Sequence, residues 1–398
     1  KQTVLKTIEE QGALTPELRK QVEETYDSSV LEDIYLPYKP KKRTRATIAR
    51  EKGLEPLAKI IMGQYEWNIL KKAAEFVRKD VKDTEEALAG ARDIIAEWIS
   101  ENQRARDIVR NIFKREALIE SKVIKNKEQD AQKYRDYFNW SEPLSRCPSH
   151  RFLAIKRAEK EEFVKVSVSI DEDKATEKLD SIFLRGSTSC TDQVKMAIRD
   201  SYKRLIAPSM ETEFSQITKE KADIEAIRVF GENLRQLLLA PPLGQKRVLA
   251  IDPGYRTGCK IVCIDEQGNL LHNETIFPHP PQREVKDSAK KLVSLVNAYK
   301  IDAIAVGNGT AGRETEQFIK YIRFDRDLTV FSVNEDGASI YSASKIAREE
   351  FPSYDVTVRG AVSIGRRLMD PLAELVKIEP KSIGVGQYQH DVDQKLLQ

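Results

Sequence analysis

The chain has 398 residues, 40% of them hydrophobic and 32% charged, which predicts a soluble globular protein of two or three domains, rich in solvated helix. A net charge of +3 is too small to imply a polyanion partner by itself, so any basic surface has to be local. The four dispersed cysteines (Cys147, Cys190, Cys259 and Cys263) form no CxxC pair, and no apolar run reaches the roughly 18 residues of a membrane span; both fit a reducing cytoplasm.

Residues 1 to about 35 carry helical periodicity, with Thr15-Pro16-Glu17 as a helix start. The pattern breaks at Tyr35-Leu-Pro-Tyr-Lys-Pro40. Lys39, Lys41, Lys42, Arg43, Arg45 and Arg50 then follow with no acid among them. Such a loop suits phosphate contact, and it reads equally as a solvated basic turn. Residues 54 to 139 read as almost wholly helical. Arg104, Arg106, Arg110, Lys114 and Arg115 lie on one long helix, as a solvated face or a nucleic-acid contact. Phe163 to Ile170 alternates with period 2 and predicts a strand; Ser181 to Arg185 predicts a second strand of a small insertion. Helices resume from Cys190 to about Leu239, interrupted at Ala207-Pro208. Ala240-Pro-Pro-Leu-Gly244 is a helix-breaking linker, and the domain boundary is placed there: 1–243, then 244–376, then 377–398.

Beyond the linker, the elements alternate. Val248 to Ile251 is a short apolar run, the pattern of a buried strand. It stops at Asp252-Pro253-Gly254, because Pro253 has no N–H for a sheet ladder and Gly254 eases the turn. Asp252 is thereby the last residue of a buried strand. Cys259 to Ile264 and Leu270 to Phe277 predict two more strands, with Cys259 and Cys263 facing one side as core residues. A helix near Arg283 to Lys300 leads to a strand at Asp302 to Val306 and a glycine-rich turn, Gly307 to Gly312. A helix from Arg313 to Ile322, a strand from Leu328 to Val333, and helices at 338–350 and 362–376 complete the series. The order βββαβαβα predicts a ribonuclease H-like mixed sheet, so the expected fold class is multidomain, α and α/β. An actin-like ATPase opens similarly, but it needs a second phosphate turn that this chain does not supply.

Nuclease chemistry on this fold needs several carboxylates holding two divalent ions. The strand ends offer Asp252 and Glu335, and the closing helix offers Asp370 as a third acid. The fourth strand offers Asn308 between glycines where another acid is needed. The expected cluster is therefore incomplete, and no catalytic residue is assigned. The glycine turn could hold an anion at a helix start, but it lacks the Gly-Lys-Ser/Thr of a P-loop. His150, His272, His279 and His390 show no ligand spacing. No metal or cofactor is expected. Arg256 and Arg313, beside the two turns, join Lys41, Lys42, Arg43 and Arg45 as expected nucleic-acid contacts.

Four stretches resemble the bacterial Tex family of transcription accessory proteins: Ile251 to Gly258, Gly307 to Thr315, Val333 to Ser342 and Asp370 to Asp391. Leu36 to Arg50 resembles the family's N-terminal part. The resemblance implies a helical N-terminal region with a helix-turn-helix, a YqgF-type ribonuclease H-like domain, then helix-hairpin-helix and S1 domains. The last two are essentially absent from this sequence. It starts within a helical pattern at Lys1 and stops within another at Gln398, so it reads as a fragment, with residues 377–398 leading into the helix-hairpin-helix region. The family is similar to the eukaryotic Spt-type elongation factors. The resemblance implies binding of RNA or DNA, a place beside the transcription machinery, no membrane and no nuclease activity. A metal-dependent nuclease or resolvase is the alternative reading.

Overall fold

The computed structural model describes residues 1–40 and 42–398; Lys41 of the basic loop lies outside the described residues. The chain divides into two compact units, 1–222 and 223–398.

The first unit opens with α1 (Gln2–Glu10), α2 (Pro16–Glu24), α3 (Ser28–Tyr35), α4 (Arg45–Glu51), α5 (Glu55–Gly63) and α6 (Ile69–Ala74). Thr15 caps α2 through its hydroxyl, with Pro16 in the first turn as its sequence predicts. Of these, α4, α5 and α6 pack on α7 (Thr84–Glu101), which buries Ala87, Leu88, Ala91, Ile94, Ile95 and Ile99. Gly90 allows that approach: a Cβ there would stand 2.4 Å from Leu54 Cδ1 and 3.2 Å from Ala49 Cβ. Next comes α8 (Gln103–Glu116), whose basic residues do not share one role. Arg106, only 5% exposed, donates to Asp33 (2.5 Å) and Ser209 (3.0 Å). Arg110 donates to Asp33 and Glu213, both at 2.6 Å. These two arginines clamp helices together, whereas Arg104, Lys114 and Arg115 are exposed.

The small insertion differs from expectation. Its sheet is β1 (Leu118–Val123), β2 (Asn139–Pro143) and β3 (Val164–Ser169), antiparallel in the order β2-β1-β3, with α9 (Ser149–Lys160) between β2 and β3. Only β3 matches a predicted strand. Two strands occupy the end of the stretch read as helix, and Ser181 to Phe183 belongs to α10 (Glu172–Phe183). Ala175, Leu179 and Phe183 form a buried helical stripe, and the Asp171 cap starts that helix. The 3.6 period thus overrides the short alternation at 181–185. β3 is an edge strand. Its outward N–H groups at Val166 and Val168 donate to the carboxylates of Glu159 (3.2 Å) and Glu211 (2.9 Å). After α11 (Ser189–Ser201) the chain passes one π-helical stretch, Tyr202–Ile206, into α12 (Ala207–Leu238). The helical backbone runs on through Ala207-Pro208 instead of being interrupted as expected; the wider π-helical turn just before it, with Ala207 N–H bonded back to Tyr202 O, accommodates the proline.

The two units divide within α12, ahead of the predicted linker. Leu234, Leu237 and Leu238 pack with Tyr341, Leu375, Ile378 and Ile383, and thus belong to the second unit. Residues after 377 contribute Ile378, Ile383 and Val392 to its buried interior.

The second unit has a five-stranded sheet, β4 (Val248–Asp252), β5 (Cys259–Ile264), β6 (Leu270–Ile276), β7 (Ala303–Gly307) and β8 (Thr329–Val333), in the order β6-β5-β4-β7-β8. β4, β5 and β6 are antiparallel neighbours, whereas β4, β7 and β8 run parallel. The mixed sheet and the helical region before it are as the sequence predicts. Alternation along β4 sends Leu249 and Ile251 to one face with Cys259 and Cys263. That face is covered by α13 (Val285–Ala298) and α14 (Gly312–Lys320) through Leu292, Val296 and Ile319. Val248 and Ala250 face α17 (Val356–Met369), which follows α15 (Ala338–Ala343) and α16 (Lys345–Glu350) and precedes α18 (Pro371–Leu375). Gly365 lets α17 lie close to the sheet; a Cβ there would stand 2.8 Å from Ile264 Cδ1 and 2.9 Å from Ala250 Cβ. Among the described residues, no helix is long and apolar enough to cross a membrane.

Candidate functional site at the rim of the second sheet

Parallel pairing decides which residues meet. Ile251 lies opposite Val306, and Gly307 opposite Val333, so the C-terminal ends of β4, β7 and β8 share one rim. Asp252 ends β4 there, Gly307 ends β7, and Glu335 lies two residues past β8. With Ser339, Ser342, Thr357 and Gly360, Asp252 and Glu335 line a pocket of about 310 Å³.

The glycine turn has taken its anion from within the chain. Gly309 N–H bonds to the Glu335 carboxylate. A Cβ at Gly309 would lie 1.6 Å from Glu335 Oε1, and one at Gly307 would lie 2.2 Å from Oε2, so a side chain at either would displace the carboxylate from the turn. Asn308 joins the same two strand ends: its N–H donates to Val333 O (3.0 Å), and its side-chain oxygen accepts from Glu335 N–H (3.3 Å). Glu335 Oε2 is buried and has no hydrogen-bond partner among the described residues.

Both carboxyls hold their protons more tightly than usual. Burial raises Asp252 to about 6, with Glu335 adding like-charge repulsion and Lys260 opposing. Burial also raises Glu335, with Asp336 adding, while the Gly309 N–H and Arg367 oppose. The nearby cation Lys260 is itself tied to Thr257 O (2.8 Å) and Thr275 Oγ1 (3.1 Å).

The expected third acid is elsewhere. Asp370 follows α17 and caps α18, accepting from Ala373 N–H at 3.0 Å. The carbonyls just before it, Leu368 and Met369, accept from Leu243 and Gly244, immediately ahead of the start of β4. Asp370 is therefore at the opposite rim from Asp252, ten residues and about 15 Å of helical rise beyond Gly360. The α17 residue facing Asp252 is Gly360, where a Cβ would stand 3.6 Å from Oδ2. Among the described residues, no three metal-ligating side chains form a group. Two carboxylates fit one cation at most and do not fit the two ions, about 4 Å apart, that two-metal hydrolysis uses.

Several residues at this rim escaped the sequence. Arg367, 4% exposed, donates to Asn334 O (2.9 Å) and Asp336 O (2.7 Å), the carbonyls on either side of Glu335. Burial lowers its pKa, opposed by Glu374, Asp336 and Glu335. The signal was the spacing Arg359, Ser363, Arg367, a buried polar stripe along α17. Tyr255 and His279 also brace the turns. The Tyr255 hydroxyl donates to Glu314, and its ring meets that of His279 edge-on at 5.8 Å. His279 Nε2 lies 2.7 Å from Thr315 Oγ1, which donates to Ala311 O.

Arg256 and Arg313 are exposed, the first in the turn after β4 and the second in the opening turn of α14, so both stand at the Asp252 rim. In the first unit, Lys42, Arg43 and Arg45 are exposed. Acids from outside the basic stretch reach it: Arg43 pairs with Glu51 (2.7 Å), Lys39 with Glu32 (2.5 Å) and Arg50 with the more distant Glu97 (2.7 Å).

Residues 246–369 match the Tex protein YqgF-like domain, and residues 67–230 match the Tex central region. Over 99% of its length the chain is 43% identical to Protein tex of Bordetella pertussis, covering 52% of that protein. It is 41% identical over its whole length to the transcriptional accessory protein Tex of Neisseria gonorrhoeae, covering 53% of it. Over 99% of its length it is 35% identical to the human S1 RNA-binding domain-containing protein 1, covering 41%. The chain thus spans about half the length, or less, of these curated relatives.

Proposed function

The chain belongs to the Tex family, and from that premise we propose that it is a nucleic-acid-binding scaffold of a transcription accessory protein, acting in the cytoplasm. Its ribonuclease H-like unit keeps the rim of a nuclease with carboxylates for one ion at most lining the pocket. One observation carries this reading: among the described residues, Asp252 and Glu335 are the only carboxylates that line the rim pocket, with Gly360 in the facing helix position. Two-metal hydrolysis needs a second ion to stabilise the leaving oxygen, and the described residues offer no group of three ligands to hold it. Exposed Arg256 and Arg313 at that rim, and Lys42, Arg43 and Arg45 in the first unit, supply cations for phosphate contact. The relatives' names, a transcriptional accessory protein and an S1 RNA-binding domain-containing protein, support the same reading.

The test is incubation with single-stranded, double-stranded and branched DNA and RNA in Mg²⁺ or Mn²⁺. Binding without cleavage is expected. Cleavage by the parent that disappears in Asp252→Asn would replace the scaffold with a metal-dependent nuclease.

A further inference from the structure

Away from the Asp252 rim, α13 and α14 leave a groove of about 490 Å³ between them. Its floor is Val293, Phe318 and Ile322, and Tyr321, 88% exposed, stands at its lip. The walls are cationic: Lys290 lines one side and Arg323 the other. Lys286, one turn before Lys290 on the same helix, is exposed as well. None of these three cations pairs with a carboxylate among the described residues. Of the carboxylates nearby in sequence, three are engaged. Glu314 accepts from Tyr255, Glu316 pairs with Lys320 (2.6 Å) and Asp325 accepts from Asn297 (2.8 Å). Asp287 acts on Lys291, which pairs with Glu274 of β6.

The geometry points to a docking site for an acidic amphipathic helix of a protein partner. An apolar floor between two helices accepts side chains spaced one turn apart, as helix-in-groove recognition does. The groove follows α13 from Val285 to Val293, about 12 Å, enough for about two turns of a docked helix. The cationic walls select glutamate and aspartate on the flanks of that helix over lysine. Nucleic acid suits the groove less well. Single strands use several exposed aromatic faces for stacking, whereas here Tyr321 is the exposed ring of the lining and Phe318 is recessed in the floor.

The probe is a labelled peptide of about 18 residues with leucines at i, i+4, i+7 and i+11 and glutamates elsewhere. A second peptide carries lysines in place of the glutamates. Fluorescence anisotropy on the full chain should show saturable binding of the glutamate peptide, about tenfold or more tighter than the lysine peptide and weaker in salt. The double variant Lys290→Glu, Arg323→Glu should invert that preference. Tyr321→Ala, at an exposed position that leaves folding intact, should weaken the glutamate peptide alone. Equal binding of the two peptides would overturn the proposal, as would indifference to the charge reversal. So would displacement of the peptide by a single-stranded RNA of about 20 nucleotides. Self-association in sedimentation that Tyr321→Ala abolishes would also overturn it, because a second copy would then be the occupant.

Discussion

Asp252 carries its proton to about pH 6 because water is largely excluded from its carboxylate and Glu335 lies beside it. An aspartate in the unfolded chain titrates near 3.9. The folded state therefore binds this proton more tightly, and the group's contribution to stability is complete below about pH 4 and lost as pH rises through about 6. Asp252→Asn removes that loss. The variant should be more stable than the parent at pH 7 by about 1–2 kcal/mol, with no advantage at pH 4, as read from urea unfolding at the two pH values. Gly309→Ala tests the other carboxylate. Its Cβ would stand 1.6 Å from Glu335 Oε1, so the carboxylate must leave the turn. Asp252 then loses its like-charged neighbour, and its titration, followed by carboxyl NMR, should move down toward the ordinary range. Asp252 and Glu335 were legible in the sequence because an apolar run that stops at an acid marks a strand end. Asp370 misled because sequence does not give the offset of a helix along a sheet. Gly365 sets that offset by close approach, and it brings Gly360 to face Asp252.

On the scale of elements, α17 fastens the segment that carries Glu335. Arg367 bonds the carbonyls on both sides of it, and Arg359 bonds Phe351 O (3.1 Å) and Ser342 O (3.4 Å) further along. Arg367→Met would leave the Asn334 and Asp336 carbonyls without their donor, whereas Glu374 keeps Lys377 at 2.8 Å. A loss of about 2–4 kcal/mol is expected in chemical denaturation, with only partial recovery in Arg367→Lys, whose ammonium has no planar fork. This fastening was hidden because a charged residue in an amphipathic helix is assigned to solvent by default. The same default hid the clamp of Arg106 and Arg110 on Asp33. The small sheet was obscured differently. The strand at 118–123 follows a long helix without a break in charge or a proline, so only pairing with residues distant in sequence identifies it.

For the molecule as a whole, the order of strands and helices after 246 was readable, since alternating elements allow few connections. The division into units was not. It depends on which side of α12 finds apolar partners, and Leu234 and Leu237 find them beyond residue 340. Binding to nucleic acid is where the whole chain is tested. Replacing Lys41, Lys42, Arg43 and Arg45 with Ala should weaken binding to single-stranded RNA and flatten its dependence on salt by up to about 3 in the log–log slope. Unchanged affinity and slope would remove the loop from the interface.

The carboxylates of Glu159 and Glu211 on β3 have a bearing on crowding. A free strand edge invites a strand from another molecule, and an invading strand would have to supply acceptors to Val166 and Val168. Those donors are already satisfied by side chains of the same unit, each bringing negative charge to the edge. The β3 edge of the small sheet is thus closed by the unit's own side chains, and copies of the chain can meet at high concentration without that edge templating a fibre.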